Sequence, residues 1–177
     1  MNNAVPCDVL LILSSCRLNS LFLDFNNTIT MDNIFKSKVI WAQMDANRHL
    51  RHSAYADLAA QARIELLEAI NLNMETFAKL KLGPILFREE LVYLREITGS
   101  QNIEIKTVMT KTRIDGSRWS IRHEVYREDG IKSAIINVDG AWLNMVDRKL
   151  TALPNEYAGL FQQVPKSDDF VLEEISN

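Results

Sequence analysis

A chain of 177 residues with 47% hydrophobic and 24% charged side chains is long enough to bury one sizeable core, and one folded domain is expected. A net charge of −3 leaves no general basic character for a phosphate backbone, which argues against nucleic acid as the main partner. Cys7 and Cys16 are the only cysteines and lack zinc-ligand spacing, so no disulfide framework is expected and a reducing cytoplasm fits.

Residues 1–30 differ from the rest, being Asn-rich and nearly uncharged, with the apolar runs VLLIL and LFL. The first run is far short of the ~20 apolar residues that span a bilayer. No Lys or Arg precedes it, as a secretory signal would require. Residues 1–30 therefore read as an N-terminal extension outside the fold, residues 31–165 as the domain, and residues 166–177 as a loose acidic tail.

From Met31 the pattern becomes regular. Residues 36–43 alternate, with Val39 and Trp41 on one face and Lys36 and Lys38 on the other, which predicts a strand. The stretch WAQMDANRHLRHSAYADLAAQAR, residues 41–63, organises the chain: a polar turn runs straight into an amphipathic helix. Asp45, Asn47, His49 and His52 crowd into the turn, and Ser53 is the expected N-cap. Tyr55, Leu58, Ala59, Ala62, Leu66 and Ile70 recur at helical spacing, and Asn71 and Asn73 suit the helix end. A connector over residues 76–82 leads to Gly83-Pro84.

The period then becomes two. Residues 85–97 predict a long strand, and residues 103–113 another with Ile103, Ile105, Thr107 and Met109 on one face. Asp115-Gly116 and Asp129-Gly130 are hairpin turns, and between them Trp119, Ile121, His123 and Val125 share a face. Residues 131–144 make the last strand, and Pro154 opens a short helix over residues 155–163. The expected order is one strand, one long helix and a four-stranded antiparallel meander. One helix covers such a sheet only in part, so self-association is expected.

A carboxylate just ahead of a buried helix N-terminus is chemically loaded. The helix end offers partial positive charge and free N–H donors for a developing oxyanion, and the carboxylate can act beside it as base or nucleophile. On its own such a turn more often serves as a simple cap. Asp57, one turn inside the helix and off its apolar stripe, reads as a surface residue. Arg63 is expected to pair with a sheet carboxylate, and His123 to be a satisfied core histidine.

DANRHLRHSAY, residues 45–55, resembles the signature of the 4-hydroxybenzoyl-CoA thioesterase-like branch of the hotdog superfamily. That signature runs Asp-x-Asp-x-x-Gly-His-x-Asn-Asn, then a small residue or two and Tyr. Its second Asp falls on Asp45, its His on His49 and its Tyr on Tyr55, and the Arg that often follows falls on Arg63. Gln43 replaces the first Asp, Arg48 the Gly, and Arg51-His52 the Asn pair. The resemblance covers roughly residues 35–154.

It implies an α+β hotdog fold, a long helix wrapped by a curved antiparallel five-stranded sheet. It also implies hydrolysis of acyl-CoA or acyl-carrier-protein thioesters, without metal or cofactor, in a homodimer or homotetramer off the membrane. Asp45 would be general base or nucleophile, the backbone amide of His52 the oxyanion donor, and His49 a residue that orients the turn. Arg48 and Tyr55 would bind substrate, and Arg113 and Arg118, flanking the first hairpin, would help hold a nucleotide tail.

Two alternatives remain open at this point. Gln43 and Arg48 leave room for a non-catalytic acyl-thioester-binding module, against which the retained Asp45 weighs. An enoyl-thioester hydratase or dehydratase usually carries Asp-x-Asn-Pro-x-His, whose proline and extra residue DANRH lacks.

Overall fold

The computed structural model describes residues 33–174, together with Phe22–Leu23 and Ile29–Thr30. Those two short segments, β1 and β2, pair with each other in a ladder separate from the main sheet. The rest of the expected extension lies outside the described residues, as do the last three residues of the tail.

The main chain path runs β3 (Ile34–Lys38), a 3-10 turn (Trp41–Gln43), α1 (His52–Ala69), α2 (Met74–Leu80) and β4 (Leu82–Tyr93). It continues through β5 (Asn102–Arg113), β6 (Arg118–Arg127), β7 (Lys132–Asn144), β8 (Lys149–Thr151), α3 (Asn155–Phe161) and β9 (Lys166–Glu173). Five strands lie in the order β3-β5-β6-β7-β4, all antiparallel, while β8 extends the sheet beside β7 and β9 runs parallel to β5. The long helix packed on this curled sheet is the hotdog arrangement that the motif implies.

The core forms where the two periodicities meet. Seven residues of α1 are buried, among them Ala54, Leu58, Ala59 and Leu66. They share one cluster with Ile103, Ile105 and Met109 of β5, Ile121 and Val125 of β6, and Ile136 and Val138 of β7. Each fully buried Leu or Ile is worth about 1.5–3 kcal/mol, so this helix is held mainly by tertiary packing. At one end Phe77, Trp119, Trp142 and Phe161 make an aromatic cluster with centroids 5.2–6.4 Å apart, closed over by α2 and α3. Gly140 lets this cluster form: a Cβ there would lie 2.3 Å from a ring carbon of Trp119 and 2.7 Å from the carbonyl of Ile85.

His123 is fully buried on β6. Its Nε2 lies 3.0 Å from Nη1 of Arg63 and its Nδ1 2.9 Å from Oγ1 of Thr107. A guanidinium only donates, so Nε2 accepts and Nδ1–H donates to the threonine, which fixes a neutral tautomer. Burial, with the Arg63 charge beside it, pushes the imidazole down to about 3. The expected core histidine is thus correct, but Arg63 bonds this histidine rather than a sheet carboxylate.

Five expectations need correction. The strand over residues 36–43 ends at Lys38; Val39 turns into the core while the chain enters the 3-10 turn and leaves Trp41 90% exposed. α1 starts two residues early, with Arg51 rather than Ser53 at the N-cap. The connector is helical as α2, because Asn73 caps it by accepting from the amide of Thr76 at 2.9 Å. β4 does not form a hairpin with β5 but pairs with β7. The segment between them is held elsewhere: Ile97 accepts from the amide of Leu50 at 2.7 Å and Thr98 bridges His49. The chain therefore crosses past the polar turn before β5 begins. Finally, residues expected in a loose tail form β9, tied by Arg122–Asp169 at 2.9 Å and Lys111–Glu173 at 3.0 Å. Among the described residues no helix is long and apolar enough to cross a membrane.

Candidate active site

The polar turn is a narrow loop with a laddered base. Arg51 donates its amide to Gln43 at 2.9 Å, Met44 bridges Leu50, and Asp45 donates its amide to the carbonyl of His49 at 2.8 Å. The amide of Arg48 returns to the carbonyl of Asp45 at 3.1 Å, which closes the tip. That closure puts Arg48 in the left-handed region at φ +64°, where the resembling signature carries glycine. Asn71, just past α1, shows the same geometry where it ends the helix.

Asp45 is held by its own loop. Its Oδ1 accepts from the amides of Asn47 at 2.8 Å and His49 at 2.9 Å. Its Oδ2 accepts from no group among the described residues, so it remains available to a ligand. His49 therefore serves the loop through its backbone, donating to the Asp45 side chain and accepting from the Asp45 amide.

The helix end beside this loop has its own unmet demand. As the first residue of α1, His52 has no acceptor within the helix for its amide. No side chain caps the end, and the first turn carries no acid to offset its partial positive charge.

Two clefts meet at Asp45 and His49. One, of about 390 Å³, is lined by Asp45, His49, His52, Tyr55, Tyr93 and Arg95, among others. Its wall is aromatic: the rings of Tyr55 and Tyr93 meet edge to face at 5.3 Å. Burial, then the nearby Tyr93, push the Tyr55 phenol up to about 12, so it stays protonated and acts as wall and donor rather than base. The other cleft, of about 800 Å³, is lined by Trp41, Met44, Asp45, Arg48, Thr98 and Ser100, among others.

The structure thus gathers Asp45, His49, His52, Tyr55 and Arg48 around one place. It does not bring Arg113 and Arg118 there. β5 leaves the loop at Asn102 and reaches Arg113 at its far end, roughly 35 Å of extended strand away. The Arg118 guanidinium sits over the ring of Phe87 at 5.8 Å, and neither arginine lines either cleft. Asp57 is a surface residue as expected, 69% exposed and 3.9 Å from Arg51. Sequence reading missed Trp41, Tyr93 and residues 98–100 as cleft walls. Only the adjacency of Trp41 to the motif hinted at the first, while the others arrive through the crossing of β4 to β7. No group of three or more His, Cys, Asp or Glu among the described residues is placed to hold a metal ion.

The sequence model of a family described as the Thioesterase-like superfamily matches residues 39–162, about 70% of the chain. No curated relative matches by sequence. Among solved structures, a Staphylococcus aureus protein in complex with CoA superposes with a TM-score of 0.69 at 16% identity, over 73% of this chain and 80% of its own. A DHNA-CoA thioesterase from the same organism gives 0.66 at 15%, over 73% and 86%. A 1,4-dihydroxy-2-naphthoyl-CoA thioesterase from Synechocystis gives 0.66 at 12%, over 73% and 94%. At these identities the structural likeness is one of fold.

Proposed function

The chain belongs to the Thioesterase-like superfamily and is by class a thioester hydrolase, and from that premise we propose that it cleaves acyl-CoA or acyl-carrier-protein thioesters at Asp45. One observation carries this reading: a carboxylate with one oxygen held by two backbone amides and one free stands beside an uncapped helix end, where two clefts meet.

In the reaction, the thioester carbonyl accepts a hydrogen bond from the His52 amide as its oxygen gains negative charge. Asp45 takes a proton from water as that water attacks the acyl carbon. The C–S bond then breaks, and the proton passes to the departing thiolate. If Asp45 attacks the carbon itself, the C–S bond breaks as the mixed anhydride forms and the thiolate leaves. Water then hydrolyses the anhydride, which releases the acid, restores the carboxylate and supplies the proton that the thiolate takes up. Both routes use the same two groups. The CoA bound in the first S. aureus relative and the CoA thioesters in the other names support coenzyme A as the thiol.

The same proposal includes a homodimer or homotetramer of the domain, which starts near residue 31 and takes in β9, in the cytoplasm. β4 ends the sheet and leaves Leu86, Phe87, Val92 and Tyr93 between 40 and 57% exposed, an apolar edge suited to a second copy. Tyr93 lies on that edge and also on the smaller cleft, so such a partner would stand close to Asp45. Arg113 and Arg118, remote from Asp45 in their own chain, serve substrate only across such an interface.

Purified protein tested on a panel of acyl-CoA and acyl-carrier thioesters, with released thiol as readout, should turn over at least one class. Tight acyl-CoA binding with no thiol release would replace hydrolysis by a binding module. Sedimentation at micromolar concentration should show no dominant monomer, and an active monodisperse monomer would end the shared-interface proposal.

A further inference from the structure

Resting on the hydrolase reading, we propose that Trp41 and Arg48 form a clamp for a planar aromatic group carrying negative charge, and that this clamp selects the thioester. Three observations converge on the larger cleft. Trp41 is 90% exposed there, whereas Trp119 and Trp142 are 3% and 0% exposed. An indole presents a broad flat apolar face, and leaving it in water is unusual unless a ligand covers it.

Arg48 lines the same cleft from a left-handed backbone that disfavours any residue with a Cβ. Glycine would sit at that tip without strain. The guanidinium has no carboxylate in ion-pair range among the described residues, so it contributes no such bond to the fold. Ser100, facing the same cleft, is also left-handed at φ +65°. Of the five non-glycine residues with positive φ among the described residues, two thus border this one cavity.

The chemistry of the pair is specific. An indole face stacks on a planar π-system, and a guanidinium binds carboxylate or phosphate by paired hydrogen bonds. A saturated acyl chain offers neither feature. The shared ligand chemistry, an aromatic ring with an anion, has two sources: the adenine nucleotide of coenzyme A, or an aromatic acyl group with a second acid. Asp45 lines the same cleft, so the clamp and the proposed base border one cavity.

The test uses Trp41 as its own reporter, since acrylamide reaches an exposed indole and not the two buried ones. Ligand-free protein should show one readily quenched component of its fluorescence. Coenzyme A shielding that component where pantetheine does not would assign the nucleotide; shielding by terephthalate would assign the aromatic acyl group. Either supports the clamp. Shielding that persists in protein with no thioesterase activity would keep the clamp and remove the hydrolase reading instead. No shielding by any of these in protein that hydrolyses thioesters would overturn it. So would a Trp41 already inaccessible without ligand, because a second copy would then be its cover.

Arg48→Gly supplies the second readout. It should unfold no earlier than wild type, since it relieves the strained backbone, while KM for the shielding thioester rises at least about tenfold and kcat holds. Arg48→Lys should recover part of that KM. An earlier unfolding midpoint in Arg48→Gly would make Arg48 a structural residue and sink the clamp.

Discussion

Asp45 and His123 are both polar groups fixed by two hydrogen bonds, yet they sit in opposite kinds of surroundings. His123 is sealed between α1 and the sheet, its partners are the side chains of Arg63 and Thr107, and burial keeps it neutral. Asp45 is exposed on a loop of irregular backbone, its partners are main-chain amides, and one of its oxygens is left over. The first arrangement satisfies every ring nitrogen and has nothing to offer a ligand. The second leaves a charge, a helix end and a strained arginine facing two cavities. Saturated partners mark where this molecule keeps its fold, and unsatisfied ones mark the place proposed for substrate.

That contrast can be broken most forcefully at the sealed end. Gly140→Ala places a methyl against Trp119 and the Ile85 carbonyl, contacts no rotamer change can relieve on the backbone side. Overpacking of this kind costs about 1–3 kcal/mol or more. Chemical denaturation should show the loss, and turnover per folded molecule should stay near wild type. An unchanged midpoint would mean that the aromatic cluster is looser than the geometry indicates.

A subtler effect comes from His123. Its folded-state value is depressed to about 3 from an unperturbed 6.5. Between those values the unfolded chain binds a proton that the folded chain refuses, so stability falls as pH drops from about 6.5 towards 3 and is complete above 6.5. Measured from pH 6.5 to 4.5, the wild-type unfolding free energy should decline by about 1.4 kcal/mol per pH unit at most from this residue. His123→Gln, which cannot titrate, should show a flatter curve. Parallel curves would show that His123 is not the buried neutral group described.

The smallest effect is expected at the N-terminus. Among the described residues β1 and β2 form a ladder of their own, apart from the main sheet, and the family match begins at Val39. Starting the chain at Met31 should leave the unfolding midpoint nearly unchanged; a large loss would move the domain boundary.

What the sequence made legible follows the same division. Strand faces such as Ile103, Ile105 and Met109, the hairpin glycines Gly116 and Gly130, and the α1 stripe were readable because burial imposes a period and positive φ demands particular residues. The pairing of β4 with β7 was not, since a five-residue link reads like any turn until the loop at Leu50 and its bond to Ile97 are known. In the site, the place of Asp45 ahead of a helix start was legible from local spacing, whereas His52 came from the family resemblance and not from the expected cap at Ser53. Tyr93 was not, because it reaches the cleft from a strand far along the chain, and for Trp41 only adjacency to the motif gave a hint. β9 was hidden because the adjacent pair Asp168 and Asp169, both exposed, breaks the alternation by which a strand is read.

The most direct test compares two carboxylates in one fold. Asp45→Asn keeps the shape of the loop while removing charge and basicity, and Asp57→Asn does the same on the exposed face of α1. Thiol release and unfolding should be measured on the same preparations. General-base contributions are typically ~10²–10⁴-fold, so Asp45→Asn should lose at least about a hundredfold in kcat with its unfolding midpoint nearly intact, while Asp57→Asn stays within a few-fold of wild type. Equal losses in the two variants, or a loss confined to Asp57→Asn, would contradict the assignment of the chemistry to Asp45.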